Sequence, residues 1–143
     1  MRIVLDSDVV IAGLISSKGA GCFILKEFLH KKDFIFLSTI LQIKEIKKVF
    51  KRDKFVWKIE EKLWMKFKNK TLKVNPVNIK KFYPYVFDKK DAHILAAAVF
   101  GKACFLVTYN LRDYFIEKIK EDFDILVFNP GYLIQFCRQQ ELV

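Results

Sequence analysis

Residues 3–10 read Ile3-Val4-Leu5-Asp6-Ser7-Asp8-Val9-Val10: an apolar run ends in two carboxylates and the chain then turns apolar again. A short run without polar alternation is the signature of a strand covered on both faces, which is the usual condition of parallel sheets. In open parallel sheets, ligands sit beyond the carboxyl ends of the strands. Asp6, directly after the run, therefore stands at a binding edge.

Three further runs of the same kind occupy residues 34–37, 104–108 and 125–128. Between them, residues 22–31, 41–52, 56–68 and 91–100 space their apolar side chains three and four apart, which predicts helices. Ser38 or Thr39 can cap the second of these, and Asn129-Pro130 sets a cap and a first-turn proline before a helix at 132–138. Strands alternating with helices imply an α/β domain of three layers, with a mostly parallel central sheet between helical layers. No repeat or Gly/Ser/Pro-rich linker divides the sequence, so a single domain is expected over residues 1–143.

The 143 residues are 52% apolar and 15% aromatic, ample material for a core. Charge interrupts every apolar stretch before the length of a spanning helix, and Asp6 breaks any signal-like N-terminus, so we expect a soluble cytoplasmic protein with no membrane partner. Cys22, Cys104 and Cys137 lie far apart in apolar neighbourhoods and form no CxxC, and are expected as reduced core residues. The formal charge of +10 is uneven: between Lys44 and Lys73, twelve basic residues face four acids. Such a block favours a polyanion, with Lys47, Lys48, Lys51, Arg52 and Lys54 as candidate nucleic-acid-binding residues. Phe50, Phe55, Trp57, Trp64 and Phe67 lie among the lysines, available to stack on bases or to pack a core behind a solvated lysine face.

The run at residues 104–108 ends, like the first, in a polar cluster: Tyr109, Asn110, Leu111, Arg112 and Asp113. Glu45, one to two turns into its helix, and Asp91, at the start of a very apolar helix, can face the same edge. Each acid also has a purely structural reading. Asp8 can begin a turn, Asp88 and Asp91 can cap a helix, and Glu45 can pair with Lys44 or Lys48. Several carboxylates gathered at one edge repel each other, and a hard divalent cation, Mg²⁺ or Mn²⁺, is the usual remedy. Beside a basic flank, that arrangement suits metal-assisted cleavage of a phosphodiester.

Four segments, MRIVLDSDVVIAGLIS, FLSTILQIKEIKKVF, DKKDAHILAAAVFGKACFLVTYNLRDYF and DILVFNPGYLIQF, span nearly the whole chain. In order and spacing the chain resembles the PIN-domain ribonucleases, VapC-like proteins of the type found as the toxin half of bacterial and archaeal toxin–antitoxin pairs. The resemblance implies a three-layer α/β/α fold and hydrolysis of RNA at Mg²⁺ or Mn²⁺ held by Asp6, Glu45 and Asp91, the catalytic acids. The family's fourth acid falls at Asn110 here, and Asp113 is a nearby substitute. At Asp8 the family commonly has asparagine. Thr108 and Ser38 match small polar residues the family keeps near its site. RNA, a cognate antitoxin and a homodimer are the implied partners.

Two other classes remain open from the sequence. One is a catalytically weak or inactive PIN domain that only binds RNA or a partner. The other is a small phosphatase of haloacid-dehalogenase type, whose first motif is also D-x-D after a strand. No lysine plus paired-acid motif follows to complete that set. A response-regulator receiver fits less well, because the strand ending at Leu37 offers no phospho-accepting aspartate. His30 and His93 read as packed or partly exposed residues, not as ligands.

Overall fold

The computed structural model of the protein describes residues 1–52 and 58–141. The apolar runs become strands β1 (Arg2–Leu5), β2 (Ile35–Ser38), β4 (Phe105–Val107) and β5 (Leu126–Phe128), joined by a two-residue β3 (Leu72–Lys73). They form one parallel sheet in the order β3-β2-β1-β4-β5, with Ile3 opposite both Phe36 and Phe105, and Phe105 opposite Leu126. The strand order reverses about β1, so the crevice between the ends of β1 and β4 is the topological switch point where such sheets bind ligands.

Alternation along each strand divides the core between the two faces. Ile3, Leu5, Phe36, Phe105 and Val107 pack with helices α1 (Ser7–Ile15), α2 (Ala20–Glu27), α3 (Ile40–Arg52), α4 (Glu61–Lys70) and α7 (Pro130–Gln139). Val4, Leu37, Leu106 and Val127 pack with α5 (Ala92–Phe100), α6 (Ile116–Phe123) and a 3-10 turn at Ile79–Tyr85. The expected three-layer α/β/α arrangement is thus what the chain forms. α5 is buried from Ala92 through Ala98; its small residues let it lie close against the sheet, and a helix apolar all round belongs inside. α1 and α2 also approach closely: a side chain at Gly13 would meet Leu25 Cδ1 at 2.6 Å and the Gly21 carbonyl oxygen at 2.8 Å.

Thr39 caps α3, accepting from Gln42 N–H at 3.0 Å, and Asn129 caps α7, accepting from Tyr132 N–H at 2.7 Å. Several expectations need correction. The helix expected over 56–68 is α4, which starts at Glu61 after the Glu60 cap and runs on to Lys70; residues 56 and 57 lie outside the described residues. The helix expected over 22–31 begins two residues earlier and stops at Glu27. Cys22 and Cys137 are buried, whereas Cys104 is exposed at the start of β4, outside the core that its apolar neighbours suggested. Phe50, Trp64 and Phe67 are core residues, with Trp64 stacked on Phe67 at 6.1 Å, so packing accounts for them. Phe55 and Trp57 lie outside the described residues. Among the described residues no single helix is long and apolar enough to cross a membrane.

Candidate active site

Parallel topology places the acids. A helix following a parallel strand starts at the carboxyl edge of the sheet, and a helix preceding one returns to that edge with its N-terminus. α3 follows β2 and carries Glu45 in its second turn; α5 precedes β4 and is headed by Asp91; Asp6 follows β1 directly. All three line one cavity of about 570 Å³, together with Ser7, Lys48, Arg52, Lys90 and His93.

Asp6 is the most constrained of them. It is 6% exposed and caps α1, accepting from Ser7 N–H at 2.7 Å on Oδ1. Its Oδ2 accepts from the Tyr114 hydroxyl at 2.8 Å and from the Thr108 hydroxyl at 3.0 Å. Its own N–H donates to the Val107 carbonyl at 2.8 Å, which extends the β1–β4 ladder past the last strand residue. Behind it, Ser38 donates to Gln42 Oε1 at 2.6 Å, and Gln42 Nε2 donates to the Leu5 carbonyl at 2.7 Å. Ser38 therefore fixes the ends of β1 and β2 through Gln42.

Asp8 belongs to this group and not to an isolated turn. Its Oδ2 accepts from Tyr109 N–H at 3.1 Å, from the Asn110 amide at 3.1 Å and, more weakly, from the Thr108 hydroxyl at 3.4 Å. The sequence's two departures from the resembled pattern, an acid at 8 and an amide at 110, thus meet in one hydrogen bond. Asp113, half-buried on a 3-10 turn at Leu111–Asp113, lies near enough for its charge to act on Asp91.

Asp88 caps the short turn before α5 by accepting from Lys90 N–H at 3.0 Å, whereas Asp91 makes no side-chain cap. Glu45 pairs with neither Lys44 nor Lys48 among the described residues; its Oε2 lies 3.0 Å from Nε2 of the buried His93. Tyr114 and Gln42 are residues the sequence did not single out, and His93 reads there only as a packed or partly exposed residue. Of these only His93, a polar residue inside the apolar run of α5, carries a sequence signal, since Gln42 and Tyr114 stand among other polar residues.

The carboxylates disfavour one another's charge. Burial, and then the charge of Asp6, push the Asp8 carboxyl up to about 6. Burial, followed by the charges of Asp6, Asp113 and Asp88, pushes Asp91 up to about 7. Burial raises Asp6 as well, against the lowering by its bonds from Tyr114, Thr108 and Ser7. Burial and then the charge of Asp6 hold the Tyr114 hydroxyl well above its usual range, so it stays a donor.

These residues fit a hard divalent cation in kind. The acidic donors are all carboxylate oxygens, Asp8 Oδ1 is buried with no partner, and a cation would relieve the mutual repulsion. They are not gathered as a cage: among the described residues no three His, Cys, Asp or Glu side chains are close enough to hold a metal together. Hydrogen bonds hold Asp6 and Glu45 to protein partners instead. Mg²⁺ keeps several waters and is commonly held by one or two carboxylates plus a substrate phosphate, so a spread set is compatible with it.

Of the candidate nucleic-acid-binding residues, Lys48 and Arg52 line the cavity, one turn apart and on the same face of α3 as Glu45. Lys47 and Lys51 are exposed on that helix and do not line the cavity, and Lys54 lies outside the described residues. Lys90, not a sequence candidate, supplies a cation from the far wall.

An acid-lined cleft at the switch point of a parallel three-layer sheet defines an α/β protein with its candidate site at the carboxyl edge of the strands. Residues 2–112 match the PIN domain, and the chain belongs to the PIN-domain family, whose members are generally nucleases. Membership sets aside the haloacid-dehalogenase reading. The fold is similar to that in the crystal structure of VapBC2 from Rickettsia felis bound to a DNA fragment from its promoter, with 15% identity, 90% of this chain and 98% of that one covered, and a TM-score of 0.59. No curated protein matches the chain.

Proposed function

We propose that this protein is an Mg²⁺- or Mn²⁺-dependent endoribonuclease, acting as the cytoplasmic toxin of a toxin–antitoxin pair. The observation that carries the reading is the shared cavity: Asp6, Glu45 and Asp91 converge on it from elements remote in sequence, under a rim of Lys48, Arg52 and Lys90. Asp6, Glu45 and Asp91 are the carboxylates offered to the cation, one or two of them directly and the others through its waters, with Asp8 and Asp113 adjacent. The bound metal supplies a lowered pKa for its water and offsets charge developing on the phosphoryl group. The rim cations bind the RNA backbone and place a phosphate over the acids. Tyr114 and Thr108 keep the Asp6 carboxylate aimed, and the wall of α5 keeps Asp91 in register with it. Family membership supports nuclease chemistry, and the likeness to a VapBC2 assembly supports a cognate antitoxin as partner; a homodimer that joins two basic faces belongs to the same proposal.

A catalytically inactive RNA-binding domain is the second reading, favoured by the spread of the acids and by the uncharged Asn110. End-labelled RNA incubated with the full chain separates the two. Cleavage is expected with Mn²⁺ and not in EDTA, and Asp91→Asn is expected to lose on the order of 10²-fold or more in rate, since metal-held charge is worth several kcal/mol. RNA affinity in EDTA should persist in the variant. Cleavage that survives EDTA, or a fully active Asp91→Asn protein, would overturn the metal mechanism; tight RNA binding by the wild type with no cleavage would establish the second reading.

A further inference from the structure

We propose that His93 is a positioning residue that holds the Glu45 carboxylate in the orientation from which it serves the cation; the inference rests on the metal-dependent reading above. His93 lies on α5 two residues after Asp91, is 5% exposed and stands between Ala92 and Ile94, both buried. Its Nε2 donates to Glu45 Oε2 at 3.0 Å. A carboxylate only accepts, so the proton in this contact sits on Nε2, and the ring's other nitrogen is Nδ1. That Nδ1 is buried without a partner.

An apolar side chain would pack in this stretch of α5 without leaving a polar atom unsatisfied. The chain instead keeps an imidazole that meets half of its hydrogen-bonding capacity, and meets it on one of the three cavity acids. A local rule broken without structural return marks a functional position. The bond also crosses the molecule: Glu45 comes from a helix packed on one face of the sheet and His93 from a helix packed on the other. Glu45 has lysines at 44, 47 and 48 on its own helix, yet its carboxylate is drawn across the edge of the sheet. Because Asp91 heads the same helix as His93, α5 sets the placement of two of the three acids at once. A glutamate has three side-chain torsions to lose on binding a cation, and a bond made beforehand removes part of that cost.

Calorimetric titration of Mn²⁺ into the full chain tests this, alongside melting curves and RNA affinity in EDTA. His93→Leu and His93→Asn, which lose a donor at the Nε2 position, are expected to weaken Mn²⁺ binding about 10- to 100-fold, as partners of metal ligands commonly do. His93→Gln, whose amide N–H reaches that position, should recover most of the loss. RNA affinity in EDTA should stay at the wild-type value throughout. On a Glu45→Gln background, replacing His93 should add roughly twofold or less, since the two act through one interaction. Wild-type Mn²⁺ affinity in a folded His93→Asn or His93→Leu protein would overturn the role, as would a Gln variant no better than Asn, or a full additive loss on Glu45→Gln. Should His93→Leu not fold, the Asn and Gln pair decides alone. A wild-type chain that takes up no Mn²⁺ overturns the metal reading and the role of His93 with it, and shows itself before any substitution is made.

Discussion

Asp91 heads a helix without capping it, and burial beside Asp6, Asp113 and Asp88 pushes its carboxyl up to about 7. Because that value lies above the unfolded one, the folded chain binds the extra proton. In the absence of a cation, stability is fullest at low pH and falls as pH rises through about 7, with Asp8 adding the same trend up to about 6. Melting in EDTA should therefore show Tm falling between about pH 5 and 8, apart from any acid unfolding. Asp91→Asn should flatten that fall and melt higher at pH 8. Much of the side chain meets solvent, so after screening the gain is on the order of 1 kcal/mol, or about 2–4 °C. A lower Tm for the variant at pH 8 would show that the charge is already compensated in the fold. Position 91 was legible in the sequence as an acid opening an apolar helix; His93, Tyr114 and Gln42 were not, because their partners Glu45, Asp6 and Leu5 are brought together only by the fold.

At the scale of elements, α3 combines two surfaces. Lys48 and Arg52 share the cavity face with Glu45, while Lys47 and Lys51 are exposed to solvent outside the cavity lining. Charge counting along the sequence could not separate these sets, since a block of lysines has no direction until a helix gives it one. Lys48→Gln should weaken RNA binding and lower the slope of log affinity against log salt by about 0.7, the share of one single-strand phosphate contact. Lys47→Gln should change neither by much. Fluorescence anisotropy over a range of salt in EDTA reads both, and equal losses from the two variants would mean that the cavity face is not the binding face. The four apolar strands were readable because each is covered on both sides. β3 was not, being two exposed residues, Leu72 and Lys73, recruited only by pairing with β2. α1 was missed for the opposite reason: Val9 to Leu14 is so apolar that neither period stands out. α6 carried a readable signal in Ile116, Ile119 and Phe123, spaced three and four apart.

Across the whole molecule, the strand order turns a scattered set of acids into one edge. Asp6, Glu45 and Asp91 lie far apart in the chain and line one cavity because β1 is central, α3 leaves from the carboxyl edge and α5 returns to it. That convergence followed from reading β1 as a buried parallel strand, whereas the spread between the acids could not be read from spacing, since it depends on which hydrogen bonds hold each carboxylate. The most direct test is crystallographic: crystals of the full chain grown with Mn²⁺, measured at the manganese absorption edge. An anomalous peak within coordination distance of the Asp6 and Asp91 carboxylates is the predicted result. Ordered density for both side chains with no peak between them, at Mn²⁺ concentrations that support RNA cleavage, would contradict it.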